Sequence, residues 1–205
     1  MPSDTALPFD QRIRINGLRA LGLGVVPLLF LAHPWFAGES LASELMEVAG
    51  LFLIIACVLG RFWAILYVGG RKNRGVVVDG PYSMTRNPLY FFSALGALGV
   101  GMLFGMITLA LAVGAATFGV LWLTARREQA FLEAEFGQAY RDYARRVPMF
   151  LPRPALYSSP GRIEISTATL RRNLRDAFVF LMAIPLAELA EFVHGHVDLV
   201  PLVLP

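Results

Sequence analysis

The chain is 205 residues long, 56% hydrophobic and only 16% charged, whereas a soluble domain is about half apolar with roughly a quarter of its residues charged. That balance excludes an ordinary soluble fold, which would lack the polar surface needed to stay dispersed. The net charge of +3 does not indicate nucleic acid either, because the arginines gather at the ends of apolar runs, where membrane topology puts them.

The polar N-terminus, residues 1–16, carries acids and two arginines and has no short apolar stretch ending in a small-residue cleavage site, so no signal peptide is expected. A helix needs about 20 apolar residues to cross the hydrocarbon layer. A first span is predicted from Gly17 to Phe36 and a second from Leu45 to Val68, joined by the turn HPWFAGES. A third and fourth, Leu89 to Leu103 and Met106 to Leu123, form a tight hairpin, the third short enough to suit a helix buried in the bundle. Beyond it a cytosolic helix is expected to continue out of span four, because Phe131, Leu132 and Phe136 recur at helical spacing among charges. Gly137 should interrupt it, and Pro148, Pro152 and Pro154 should end it. Mixed apolar and basic residues from Ile163 to Asp176 predict an interfacial helix, and a fifth span begins near Ala177 and weakens after Pro185.

The expected architecture is therefore all-α, a polytopic membrane protein of about five spans. It reads as a single membrane domain over 1–205: polar N-terminus 1–16, spans one to four 17–123, cytosolic segment 124–176, and fifth span with tail 177–205. Lysine and arginine alternate by loop. Arg12, Arg14 and Arg19 precede or enter span one; Arg71, Lys72, Arg74 and Arg86 lie between spans two and three; a basic stretch runs from Arg126 to Arg175. The turns after spans one and three carry none, and the tail holds only Asp198. The N-terminus and both basic segments are thus expected in the cytosol and the C-terminus outside.

Three features resist simple assignment. Cys57 is the single cysteine, so no disulfide forms within the chain. Arg61 lies well inside span two, where a buried charge is expensive; it is expected to face a site, pair with a carbonyl or snorkel to the cytosolic end. The polar cluster Glu188, Glu191, His194, His196 and Asp198 is unusual for a span, but no helix puts His194 and His196 on one face. It fits an outer interface or an oligomer contact, and no metal is assigned to it.

Chemistry concentrates in two segments expected on the same cytosolic face. In GPYSMTRNPLYF, Gly80 to Phe91, Gly80 and Pro81 impose a turn and Pro88 opens a helix. The backbone amides there suit an anionic group, with Arg86 and the phenols of Tyr82 and Tyr90 beside it. The second segment carries Arg126, Arg127 and Glu128, then Tyr140, Tyr143 and Val147-Pro148. Each alone also reads as a membrane-entry turn or a solvated charged face.

Together, GPYSMTRNPLY, an apolar hairpin and REQAFLEAEFGQAYRDYARRVPMFLP resemble the isoprenylcysteine carboxyl methyltransferase family and its phospholipid methyltransferase relatives, over about Gly60 to Pro152. The resemblance implies an S-adenosylmethionine cofactor in a cytosolic-face pocket and a lipid or lipidated acceptor entering from the bilayer. It implies that Val77, Val78, Gly80, Pro81 and Tyr82 line the cofactor. Arg86 and the backbone of Asn87, Pro88, Leu89 and Tyr90 would address its amino-acid end, and Glu128 its ammonium or hydroxyls. Arg86, Glu128 and Arg127 become the catalytic candidates. Two departures from the family pattern stand out: Asn87 replaces a usual histidine, and Gln129 replaces the second of a usual acidic pair. Two other readings are a nicotinamide-dependent membrane reductase of related architecture and a non-enzymatic scaffold.

Overall fold

The computed structural model describes residues 16–18, 20, 22–24, 27, 32–34, 41–68, 75–165, 167–196 and 202–204. The predicted first span falls mostly outside the described residues, as do the 71–74 basic cluster and Asp198.

Helix α1, Leu41–Val68, and helix α4, Ile107–Phe136, are each long and apolar enough to cross a bilayer. Between them lie the short α2, Pro81–Met84, and the apolar α3, Pro88–Leu103. Both long helices leave large apolar side chains on the outside, among them Phe52 and Leu59 on α1 and Leu111 and Leu123 on α4. A soluble bundle turns such residues inward; a lipid-facing surface turns them outward.

Inside, α1 and α3 pack closely. A Cβ on Gly99 would lie 2.8 Å from the Gly50 carbonyl oxygen, so the two backbones touch at a distance that no larger residue permits. Ile54, Cys57, Ala64 and Ile65 of α1 are fully buried against this seam. The α3–α4 hairpin closes through Phe104–Met106, with Ala97, Met106, Leu109 and Val113 forming its apolar core.

Thirty residues at 1.5 Å each make α4 about 45 Å long, roughly 15 Å more than the hydrocarbon layer. Its last turns therefore project from the membrane, as the charge pattern from Arg126 onward predicts. Gly137, at φ +54°, breaks the helix, and α5, Gln138–Arg146, follows. Residues 147–165 then run largely without regular structure, apart from a single 3-10 turn at Pro154–Leu156.

The expected fifth span is two helices, not one: α6, Thr167–Leu181, and α7, Ala183–His196. Neither is both long and apolar enough to count as a span. The break has a covalent cause, since Pro185 lacks an N–H and its ring collides with the carbonyl of residue 181, where α6 stops. The five predicted spans thus reduce, among the described residues, to two long apolar helices, the shorter apolar α3 and a broken C-terminal pair. A small departure from all-α is the parallel pairing of β1, Ala32–Pro34, with β2, Leu202–Leu204. It joins the predicted outer turn to the tail.

Candidate functional site

The GPYSMTRNP turn is held by the segment that follows α5. Arg86 N donates to Pro148 O at 2.9 Å, Arg153 N to Met84 O at 2.9 Å and Gly80 N to Ser158 O at 2.7 Å. Residues 148–158 therefore run antiparallel to 80–86 as a strap. Side chains complete it: Thr85 Oγ1 donates to Phe150 O at 2.9 Å, Asn87 Nδ2 to Met149 O at 2.9 Å, and Ser158 N to Ser83 Oγ at 2.9 Å. Phe150 packs edge-on against Phe118 of α4, centroids 4.6 Å apart, tying the strap to the bundle. Gly80 at φ +60° is obligatory, because a Cβ there would also fall 2.4 Å from the Tyr67 ring.

With the turn fixed, two polar pairs join it and the first turn of α3 to α4. Arg86 Nη1 donates to Gln129 Oε1 at 3.0 Å, and Tyr90 Oη donates to Glu128 Oε2 at 2.9 Å. Glu128 and Gln129 are consecutive on α4, and each answers one residue of the opposite turn. The hydroxyl of Tyr140 on α5 is held above its usual pKa chiefly by burial, an effect that the charge of Arg86 opposes. Tyr143 donates to Tyr82 O at 2.8 Å, and burial likewise keeps the hydroxyls of Tyr143 and Tyr82 protonated. Beside Arg86 opens a cleft of about 220 Å³ lined by Arg86, Gln129, Glu133, Arg141, Ala144 and Arg145.

The chemistry this cleft offers is anion recognition. Arg86 Nε is buried and, among the described residues, has no hydrogen-bond partner. A buried guanidinium N–H left open is costly unless a ligand satisfies it, and a planar guanidinium suits a carboxylate. The amino-acid end of S-adenosylmethionine carries such a carboxylate, so the residues fit that part of the cofactor. The cleft is smaller than the roughly 300–1,000 Å³ of whole small-molecule pockets, and 71–74, which precede its other predicted wall, lie outside the described residues.

The remaining predicted residues divide. Pro81, Tyr82, Pro88 and Tyr90 are buried around the turn, and Leu89 packs in the cluster of Tyr90, Leu121, Ala125 and Phe150. Val77 is half-buried and Val78 exposed, while their neighbour Val76 packs on Tyr140, Tyr143 and Val147. The expected row of open amides is mostly spent. Asn87 N donates to Thr85 Oγ1 at 3.4 Å, Tyr90 N to Asn87 O at 3.1 Å, and Pro88 has no N–H. Of that stretch, Leu89 alone has an amide with no acceptor among the described residues, which shifts the burden to the Arg86 side chain. Arg127 is exposed, and Arg126 lies over the Trp122 ring, 4.9 Å from its centroid.

Gln129 orients Arg86 without any mark in the sequence beyond its departure from an acidic pair. Tyr140 and Tyr143 carried a signal in their three-residue spacing on one helix face, which is the face that meets the turn.

Residues 48–139 match the model of a family described as phospholipid methyltransferase. Two curated relatives are similar over most of the chain. One is the cobalt-zinc-cadmium resistance protein CzcN of Cupriavidus metallidurans, 34% identical over 174 residues, which are 84% of this chain and 79% of the relative. The other is the nickel-cobalt-cadmium resistance protein NccN of Alcaligenes xylosoxydans xylosoxydans, 35% identical over 84% of this chain and 80% of that one. No solved structure matches.

Proposed function

The chain belongs to the phospholipid methyltransferase family, and we propose that it uses S-adenosylmethionine to methylate a lipid or lipid-modified acceptor at the cytosolic face of a membrane. The observation that carries this reading is the buried, unpartnered Arg86 Nε beside the Arg86–Gln129 and Tyr90–Glu128 pairs. When bound, the cofactor supplies an electrophilic methyl on a sulfonium.

Arg86, oriented by Gln129, would hold the carboxylate of the cofactor's amino-acid end. Glu128, fixed by Tyr90, would accept from its ammonium or ribose hydroxyls. The acceptor's lone pair would take the methyl carbon, the carbon–sulfur electron pair remaining on sulfur. An oxygen anion needs no base for this; an amine must lose a proton, and Glu128 is then the acceptor. The residues' main contributions are alignment and exclusion of water. Both curated relatives are named for metal resistance, so the methylated product is proposed to serve metal tolerance.

The test is titration of detergent-purified protein with S-adenosylhomocysteine and, separately, NADPH, followed calorimetrically and by thermal shift. Binding of S-adenosylhomocysteine, lost in Arg86→Ala and weakened at least about tenfold in Glu128→Ala, supports the reading. Stabilisation by NADPH alone overturns it in favour of a reductase. Binding of neither indicates a scaffold.

A further inference from the structure

Arg61 is not used by the cofactor side of the site. It lies on α1 seven residues before the helix ends at Val68, so its Cα is about 10 Å inside the cytosolic end of the helix. The level of the membrane boundary can be read from its neighbours. The Trp63 ring meets Tyr157 of the strap, centroids 5.9 Å apart, and the Tyr67 and Ser159 hydroxyls are 2.8 Å apart. Tryptophan and tyrosine collect at headgroup level, which places Arg61 just beneath that belt.

A snorkelling arginine extends toward water. Arg61 instead turns into the bundle: its Nη1 donates to Ser93 Oγ of α3, and Ser93 in turn donates to Leu89 O at 2.7 Å. Ser93 is three residues past Tyr90 and so about 4.5 Å deeper along α3. Phe180 of α6 stands over the guanidinium, 5.9 Å from ring centroid to Cζ. The arginine nonetheless stays partly exposed, at the junction of α1, α3 and α6. A cation held at this depth and still partly exposed favours an anionic group carried by an amphiphile.

Tyr82 links this place to the cofactor side. Burial holds its hydroxyl protonated, and the charges of both Glu128 and Arg61 act on it, Glu128 raising and Arg61 lowering its pKa. Tyr90, which donates to Glu128, and Ser93, which accepts from Arg61, are three residues apart on α3, so the two polar sets lie about one helical turn apart. We infer that Arg61 and Ser93 form the acceptor subsite, holding the phosphate or carboxylate of a lipid-borne acceptor at the α1–α3–α6 junction while Arg86 holds the cofactor. This rests on the methyltransferase reading for what the subsite serves, though not for the binding it describes.

The experiment uses the full chain in neutral detergent, with thermal shifts measured against dioctanoyl phosphatidic acid, lauroylglycine and, as the uncharged control, dioctanoylglycerol. Each is measured with and without saturating S-adenosylhomocysteine. One or both anionic amphiphiles are expected to stabilise the wild type, with the diacylglycerol inert. Stabilisation by the phosphate alone identifies a phospholipid-type acceptor, and by the carboxylate alone a carboxylate acceptor. Arg61→Gln is expected to weaken the anionic ligand at least about tenfold, Arg61→Lys to recover part of the loss, and S-adenosylhomocysteine affinity to stay within about twofold throughout. Should Arg61→Gln not fold, Ser93→Ala keeps the charge and is expected to weaken the amphiphile about threefold. No stabilisation of the wild type, equal stabilisation of wild type and variants, or a parallel loss of S-adenosylhomocysteine binding overturns the subsite. Failure of the wild type to bind S-adenosylhomocysteine while Arg61-dependent amphiphile binding persists overturns the methyltransferase reading alone.

Discussion

Arg86 and Gln129 show how a neutral partner differs from a charged one. Gln129 Oε1 accepts one N–H and fixes the plane of the guanidinium without neutralising it, which leaves the full positive charge for a ligand. Gln129→Ala should therefore lower S-adenosylhomocysteine affinity by at least about tenfold, the worth of one hydrogen bond to a charged group, with little change in thermal stability; calorimetric titration checks it. Tyr143 has the opposite profile. Its hydroxyl satisfies the carbonyl of Tyr82, so Tyr143→Phe leaves a buried acceptor open and should cost about 1–3 kcal/mol in denaturant unfolding. Burial raises the pKa of Tyr82, Tyr140 and Tyr143 together. The folded state then holds these protons more tightly than the unfolded chain, so their stabilising effect is complete below the unfolded value of about 10 and falls away as pH rises above it. Thermal unfolding of the detergent-solubilised protein should be insensitive to these tyrosines from pH 7 to 9 and decline beyond about pH 10.

At the scale of elements, two glycines with similar backbone angles separate strain from crowding. Gly80 lies at φ +60° and Gly137 at φ +54°, but an added Cβ meets the Tyr67 ring at the first and nothing within 4 Å at the second. Alanine at either is strained by about 1–3 kcal/mol. Gly80→Ala should cost more, and should also loosen the strap, because Gly80 N anchors Ser158 O. Comparing midpoints of thermal unfolding for the two variants tests the difference. The turn at Gly80-Pro81, the helix start at Pro88, the interruption at Gly137 and the end before Pro148 were all legible in the sequence, since each depends on local backbone chemistry. The splitting of the last predicted span was half legible: Pro185 was visible, but a tolerated kink and a true break differ only in how neighbouring elements receive the freed carbonyls.

For the molecule as a whole, the proposed orientation puts α5 and the strap in the cytosol and the C-terminus outside. In a Cys57→Ser background, a membrane-impermeant maleimide added to intact cells should label Pro205→Cys and spare Gln138→Cys, with both labelled after lysis. The reverse pattern inverts the orientation. What the sequence determined by itself was the apolar setting of the long helices and the places of the turns, because apolar run length, charge placement and turn residues act over a few neighbouring positions. What only the tertiary structure decided was which groups meet. The strap that pins the turn joins residues more than 60 positions apart, Gln129 orients Arg86 across 43, and Arg61 reaches Ser93 across 32. Such pairings are set by the close seam of α1 with α3 and the outward projection of α4, and helix packing of that kind leaves no local mark on the residues it brings together.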